Sequence, residues 1–550
     1  MEEISILIGG KAGDGTRQAG HVIASLLNRI GYRIFFYDDY PSLIRGGHNF
    51  SVIRASEKRI GAHKDMIDII IALNQDTVEN HKHRLKADGI ILYDSKKVET
   101  QGLGIDFMSI VKEFDGKPIM RNTAAIGALA GILNLEWSIL ENDIKNSIGK
   151  DIDLNLKIAR NAYDRIGTSL KPVRKLDQQS LPLVTGNEAI SLGAVKAGLN
   201  MYIAYPMTPA SAILHYLAAH ENELGVVTVH PESEISVALM ALGAAYTGAK
   251  TMVGTSGGGF ALMTEALSLA GQSEIPMVIV ECQRAGPSTG VPTYTMQGDL
   301  NFVVYAGHGE FIRVVLAPGD ADEAFYLTGL AVNLAWKFQI PTFVLSDKHL
   351  SESIFSFEPD LDKVKPEDPL LWDGQGEYKR YLDTPNGISP LAFPGNAEAI
   401  VKVSSYEHDE NGITTEEPGQ IARMQRKRLR KRKALADELG KYDTVNVYGN
   451  LESKTALLCW GSTKGACIEV AETLDLKVVQ PLVLEPLPVE SLKKALSGVE
   501  KIIDVEVNAT GQLAKFIAGQ GFCIDDMILR FDSRPFTVDN LLDSVKEVLS

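Results

Sequence analysis

Cysteine is scarce in this 550-residue chain: Cys282, Cys459, Cys467 and Cys523 are the whole complement, and no two form a C-x-x-C pair. That spacing excludes a disulfide scaffold, a zinc ribbon and a self-contained iron–sulfur cluster. Any redox metal the function needs must therefore sit on another chain. Apolar runs are short as well, and none approaches the roughly 18 residues that a membrane helix requires. Excess positive charge is missing: 55 Lys and Arg against 70 Asp and Glu leave a net charge of -15, which argues against a chain-wide affinity for nucleic acid. The first residues, MEEISILIGG, are acidic and strand-like rather than basic and then apolar. A signal peptide is not expected there, and the expected location is cytoplasmic, with no membrane partner.

What is present is an ordinary globular composition, 45% hydrophobic and 23% charged, long enough for three or four domains. The expected fold class is α/β, in three α/β domains. Residues 1–168 open with ISILIGGKAGDGTRQAGHVIASLLNRIGYRIFFYDDY, which reads as strand, glycine-rich turn, amphipathic helix and second strand in a βαβ rhythm. SLKPVRKLDQQSLPLV carries proline and charge without periodicity and reads as a linker. Residues 183–354 repeat the α/β pattern, with strands at VVTVH, TMVGTS, PMVIVEC, FIRVVLA and PTFVLSD. Residues 355–450 lose periodicity and end in a densely basic helix, RMQRKRLRKRKALADEL. Nucleic-acid contact is one reading of that helix; a solvated helix against an acidic neighbour is the preferred one, with EHDENGITTEE just upstream as a source of carboxylates. Residues 451–550 return to α/β, KVVQPLVLEPLP reading as one strand region.

The chemistry-bearing positions lie at strand ends. NMYIAYPMTPASAIL stops a short apolar strand with Pro206 and Pro209 around Thr208, a rigid turn that presents a hydroxyl. VHPESEISVALMALGAAYTGAK puts Glu232 and Glu234 where a strand gives way to a small-residue helix. VECQRAGPSTGVPT places Arg284 at another strand end, and TSGGGF sets Gly257 and Gly258 in a loop between them. A hydroxyl, a carboxyl and a guanidinium at such ends suit a small anionic substrate beside a cofactor, because arginine binds a carboxylate bidentately. Taken singly, each charge is more often solvated or salt-bridged. In the first domain, GGKAGDG matches neither the dinucleotide nor the Walker loop, and Asp14 there reads as a tight turn or, alternatively, a metal ligand. LIRGGHN adds Arg45, which could meet the same anion. The diphosphate site of thiamine enzymes needs a paired asparagine, and Asn-Asn occurs nowhere in the chain.

Taken in order, GNEAISLGAVKAG, YPMTPAS, ESE, TSGGGF, ECQRAGPSTG, LSDKHLSES, NGISPLAFPG and EHDENG closely resemble the α subunit of 2-oxoacid:ferredoxin oxidoreductases of the 2-oxoglutarate synthase type. GGKAGDG with RGGHN resembles that family's γ domain, here fused ahead of the α chain. The family's usual YPITPxS has Met207 in place of isoleucine here, an apolar exchange.

The resemblance implies a γ-type domain, a pyrimidine-binding domain for thiamine diphosphate and a transketolase C-terminal-like domain. It implies thiamine diphosphate shared with a separate β subunit that carries Mg2+ and a [4Fe-4S] cluster, coenzyme A as co-substrate, and ferredoxin as electron acceptor. By their match to the motifs, Glu234 contacts the aminopyrimidine ring, with Glu232 as the rival, and Thr208 and Arg284 hold the 2-oxoacid. Gly257 and Gly258 line the cofactor. Asp409 either covers the site, touches coenzyme A or pairs with the basic helix, and Arg45 with the glycine loop assists coenzyme A or is structural. No metal site is expected on this chain. The substrate implied is 2-oxoglutarate or a broad range of 2-oxoacids. An indolepyruvate-type enzyme is the nearest alternative, although its cysteine-rich motifs are absent. A non-catalytic scaffold on the same fold is the alternative from another class, opposed by the joint presence of Thr208, Glu234 and Arg284.

Overall fold

The computed structural model describes residues 3–42, 47–167 and 170–550. Arg45 lies outside the described residues. The chain is a mixed α/β protein, with three sheets among the described residues. It divides into two compact units, Met1–Val184 with Glu352–Glu358 and Phe536–Ser550, and Thr185–Ser351 with Pro359–Pro535.

An eight-stranded sheet organises the first unit, its strands in the order Leu103–Ile105, Leu85–Asp94, Ile67–Ala72, Glu3–Lys11, His48–Ser56, Arg33–Asp39, Ile354–Ser356 and Leu183–Thr185. Ile6 and Ile8 enter one apolar cluster and Leu7 the other, so Glu3–Lys11 is buried on both faces. Helix Thr16–Arg29 covers one face with Ala19, Val22, Ile23, Leu26 and Leu27, spaced three and four residues apart.

The βαβ rhythm expected at the start of the chain does not form as a parallel pair. His48–Ser56 intervenes, antiparallel to both Glu3–Lys11 and Arg33–Asp39. The expected linker is also not loose: Val173 and Leu176 are buried in the core, and the Leu176 amide donates to the Ile30 carbonyl at 2.8 Å. In the glycine loop, Gly13 and Gly15 adopt φ of 90° and 73°, the left-handed region a side chain resists. Asp14 accepts the Lys11 amide at 2.9 Å and pairs with Arg121 at 2.5 Å, which is the tight-turn reading rather than the metal-ligand one.

The second unit carries a seven-stranded sheet in the order Val483–Glu485, Val314–Leu316, Pro341–Asp347, Met277–Gln283, Thr251–Thr255, Met201–Ile203, Val227–Val229. It is parallel except at Val483–Glu485, which runs antiparallel to its neighbour. A five-stranded sheet follows, with Val445–Gly449 antiparallel at its edge. The region read as one strand at KVVQPLVLEPLP is split: Lys477–Pro481 stays in the five-stranded sheet and Val483–Glu485 crosses to the seven-stranded one. Pro481 has no amide to extend a ladder, so the strand ends there.

The basic helix runs from Pro418 to Leu439. It lies against the acidic stretch expected as its neighbour, but it is solvated over only part of its surface. Lys427 and Lys431 are buried, 2.7 and 2.6 Å from the carboxylate of Glu274, while Arg428 pairs with Glu407 of the upstream acidic stretch at 2.6 Å. Glu274 lies some 150 residues earlier in the chain, so no local pattern announces it.

Candidate active site

The parallel strands of the seven-stranded sheet end together, and their carboxyl ends supply the site, where α/β sheets place ligand contacts. The turn after Met201–Ile203 is held from two sides. Arg284 Nη1 donates to the Thr208 carbonyl at 2.9 Å, and Asn187 Nδ2 donates to the Pro209 carbonyl, also at 2.9 Å. The Thr208 hydroxyl makes no hydrogen bond to any described residue. The turn is thus fixed by its backbone, leaving the hydroxyl available. Arg284 stands just past strand Met277–Gln283, half-buried, and burial lowers its pKa from the usual arginine value.

Glu234 is the first residue of helix Glu234–Tyr246, whose N-cap Ser233 accepts the Ser236 amide. Only 6% of Glu234 is exposed. Glu232 is exposed instead, and its carboxylate accepts the Ser236 hydroxyl, an interaction that holds its pKa below the usual carboxylate range. The strand-to-helix boundary therefore turns one glutamate inward and the other to solvent.

Three consecutive glycines open helix Gly257–Ser273, each against a different part of the site. A Cβ on Gly257 would lie 2.7 Å from Asp299 Oδ2, and one on Gly259 2.7 Å from Glu234 Oε1 and closer still to the Thr255 hydroxyl. A Cβ on Gly258 would only touch Met207 Cε at 3.8 Å. Glycine at 259 is thus a condition for the position of Glu234, and the expectation that stopped at Gly257 and Gly258 missed it. No side chain caps the helix, and its N-cap Ser256 has a buried hydroxyl without a partner among the described residues.

Beside these lie two carboxyls that motif reasoning passed over. Glu281, in strand Met277–Gln283, is fully buried, and neither of its oxygens finds a partner among the described residues. Burial, with Asp299 and Asp347 nearby, pushes its pKa well above the carboxylate range, against the opposing pull of Arg284. Burial also pushes Asp299 up to about 6. Asp299 is fixed through its amide, which donates to Gln283 Oε1 at 3.0 Å. The signal for Glu281 was available in MVIVECQ: a carboxyl inside an otherwise apolar, doubly covered strand is costly unless it is protonated or has work to do.

The structure brings Thr208 and Arg284 into contact and sets Glu234 against the glycine-initiated helix that also meets Met207. Asp409 is occupied elsewhere: its carboxylate accepts the amides of Asn411 and Ile413, both at 2.9 Å, closing its own turn. Among the described residues no cluster of three His, Cys, Asp or Glu side chains suits a metal ion. Nor is any described helix long and apolar enough to cross a membrane.

The chain is similar to known proteins along its length. Residues 192–427 match the family described as pyruvate flavodoxin/ferredoxin oxidoreductase, thiamine diP-bdg, and residues 5–165 match pyruvate ferredoxin/flavodoxin oxidoreductase. A 2-oxoacid:ferredoxin oxidoreductase subunit alpha from Sulfolobus sp is 31% identical, over 99% of this chain and 97% of that protein. The 2-oxoglutarate oxidoreductase subunit KorA of Mycobacterium tuberculosis is 26% identical, over 100% of this chain and 92% of that protein. Among solved structures, the 2-oxoglutarate:ferredoxin oxidoreductase from Magnetococcus marinus with 2-oxoglutarate, coenzyme A and succinyl-CoA bound superimposes with a TM-score of 0.92 at 32% identity, covering 100% of both chains.

Proposed function

The chain belongs to the 2-oxoacid:ferredoxin oxidoreductase family as an α-type subunit, and from that premise we propose that, with a β subunit, it carries out coenzyme A-dependent oxidative decarboxylation of a 2-oxoacid. The products are the acyl-CoA and CO2, and the electrons pass to ferredoxin. The observation that carries this reading is the convergence of a backbone-held Thr208, Arg284 and a buried Glu234 at the mouth of three glycines.

The residues fit thiamine diphosphate. Glycine at 259 leaves the space in which the Glu234 carboxyl sits, and the orphaned Ser256 hydroxyl and Glu281 carboxyl await polar partners. Glu234 would hold the aminopyrimidine ring and share a proton with its nitrogen. When bound, the cofactor supplies the carbon nucleophile and the electron sink that decarboxylation needs. Arg284 keeps one nitrogen on the Thr208 carbonyl and turns the rest of its fork toward the substrate carboxylate. The Thr208 hydroxyl hydrogen-bonds the substrate from a turn that cannot drift, so orientation is built in before binding.

Mg2+ and a [4Fe-4S] cluster fall to the β subunit, consistent with the four scattered cysteines here. Exposed Ile235 and Leu239, on the helix that begins at Glu234, and Leu262, on the helix that begins at Gly257, give that subunit an apolar face to dock on. In the first unit, the uncapped helix at Gly15 borders a cavity of about 560 Å3 that suits part of coenzyme A. The preferred substrate is 2-oxoglutarate, or a broad range of 2-oxoacids that includes it.

Anaerobic purification of this chain from its own host, followed by viologen reduction with coenzyme A and a panel of 2-oxoacids, tests the reading. A cysteine-rich partner should copurify, and reduction should require coenzyme A. Thr208→Ala and Arg284→Ala should abolish turnover while the partner still copurifies. Absence of both partner and activity would overturn the proposal in favour of a scaffold role.

A further inference from the structure

A second cavity, of about 420 Å3, opens in the second unit away from the residues described above. Its walls come from helix Leu300–Tyr305 and the stretch after it, from edge strand Val483–Glu485, from the basic helix and from the end of helix Gln512–Ala518. Aromatic and apolar side chains, Phe311, Leu487 and Phe516, line it together with three charged residues, Arg313, Arg432 and Glu485.

The charges here are arranged unlike the buried lysines of this unit. Lys427, Lys431 and Lys464 are each buried, and each reaches a carboxylate at 2.6–2.7 Å. Arg313 is also buried, at 7% exposure, yet it forms no ion pair among the described residues. One of its nitrogens, Nη1, donates to the Val303 carbonyl at 2.9 Å, and its guanidinium carbon stands 4.5 Å from the centre of the Phe311 ring. Arg432 reaches the same space from the basic helix, also without an ion pair among the described residues. Glu485 faces both arginines and contacts neither. Burial lowers the pKa of Arg313 to about 10 and raises that of Glu485, so the nearby carboxyl does not offset the cost of burying the cation.

We propose that this cavity binds a phosphomonoester, with the phosphate between Arg313 and Arg432 and the organic body against Phe311, Leu487 and Phe516. Two guanidinium forks suit the oxygens of a phosphate dianion better than a single carboxylate. A volume of about 420 Å3 accommodates a small organic ligand. Glu485 is placed to meet a hydroxyl or amine of the ligand. The position is consequential for the fold: strand Val483–Glu485 is the stretch that ties the C-terminal region to Val314–Leu316 of the seven-stranded sheet. A ligand spanning Arg313, Glu485 and Arg432 holds that edge to the basic helix. None of this depends on the reading of the active site.

The test is calorimetric titration of the full chain, with its copurified partner, using phenyl phosphate as the probe and benzoate and benzyl alcohol as comparisons. Phenyl phosphate should bind saturably and raise the melting temperature, benzoate should bind at least about tenfold more weakly, and benzyl alcohol should not bind. Arg432 is exposed, so Arg432→Ala should fold normally; it should weaken phenyl phosphate by about tenfold or more, with Arg432→Lys recovering part of the loss. Phenyl phosphate binding that Arg432→Ala leaves unchanged would place the anion elsewhere and overturn the proposal. So would no binding at millimolar concentration, or benzoate binding equally well.

Discussion

Strand Met277–Gln283 has a buried glutamate near each end, and the two are handled in opposite ways. Glu274, just before the strand, is gripped by Lys427 and Lys431, while Arg380 donates to its backbone carbonyl at 2.6 Å. The lysines hold its carboxyl well below the usual range despite burial. Glu281, near the strand's carboxyl end, has no partner for either oxygen among the described residues and is held protonated by the same burial. One end of the strand is a finished structural joint. The other keeps unsatisfied polar groups beside Thr208, Arg284 and the three glycines. Unsatisfied buried groups persist where something besides folding uses them. The comparison therefore sets a carboxyl whose charge is fully paired in the fold against one left neutral and unpartnered beside the candidate site.

The largest effect belongs to the candidate site. Glu234→Gln keeps the shape of the side chain but cannot share a proton in the same way, so turnover of the assembled enzyme should fall by about 10²–10⁴. Stability should change by less than about 1 kcal/mol, because the side chain sits at a helix N-terminus and no lysine or arginine depends on it. Viologen reduction on the copurified complex, with a denaturant melt alongside, reads both. A loss of stability comparable to the loss of activity would give Glu234 a structural role.

Glu274→Gln should do the reverse. It strands two buried ammonium groups, and breaking a buried pair from one side costs about 3–5 kcal/mol. The midpoint of a denaturant melt should fall accordingly, with activity per folded molecule unchanged. A melt like that of the unaltered protein would break the comparison at its firmest point.

Asp299 gives the site a signature in pH. Its pKa is about 6 in the fold against 3.8 unfolded, so the fold favours the protonated form. The associated stability is fully present below pH 4 and is lost as pH rises through 6, up to about 3 kcal/mol for a shift of about two units. Asp299→Asn removes the titration. The stability of the variant relative to the unaltered protein should rise between pH 4 and 7 and level off above. A difference that stays flat across that range would mean that Asp299 titrates normally.

Much of the site was legible in the sequence because it is built from local breaks. Prolines around Thr208, an arginine just past an apolar strand, and a glutamate opening a small-residue helix each announce a strand end without knowledge of the rest of the fold. The choice between Glu232 and Glu234 was less legible, since it depends on where the Ser233 cap starts the helix. Glu281 and Asp299 were passed over because their meaning lies in what surrounds them, and burial between sheet layers is not a local property. The same holds for strand His48–Ser56, whose two partners lie on either side of the helix that suggested a parallel pair. It holds equally for the lysines of the basic helix, which look solvated until Glu274 arrives from another part of the chain. Asp409 failed differently: an Asp-x-x-Gly stretch that resembles a site loop closes on its own amides.

The smallest effect is the most discriminating, because it sets the two glutamates of the strand directly against each other. Glu281→Gln exchanges a carboxyl that is already neutral in the fold for a neutral amide of similar shape. No cation loses a contact, unlike at Glu274. Below about pH 4, where the carboxyl is protonated in the folded and the unfolded chain alike, the remaining difference is one added donor in a pocket of unsatisfied acceptors, which should shift unfolding by no more than about 1 kcal/mol in either direction. Because the carboxyl no longer has to lose a proton on unfolding, the variant should also show a shallower fall in stability with rising pH through the carboxylate range. Paired melts of Glu274→Gln and Glu281→Gln at two pH values read both quantities. Equal costs for the two substitutions would mean that Glu281 has a charged partner in the folded protein, and the distinction between the ends of the strand would collapse.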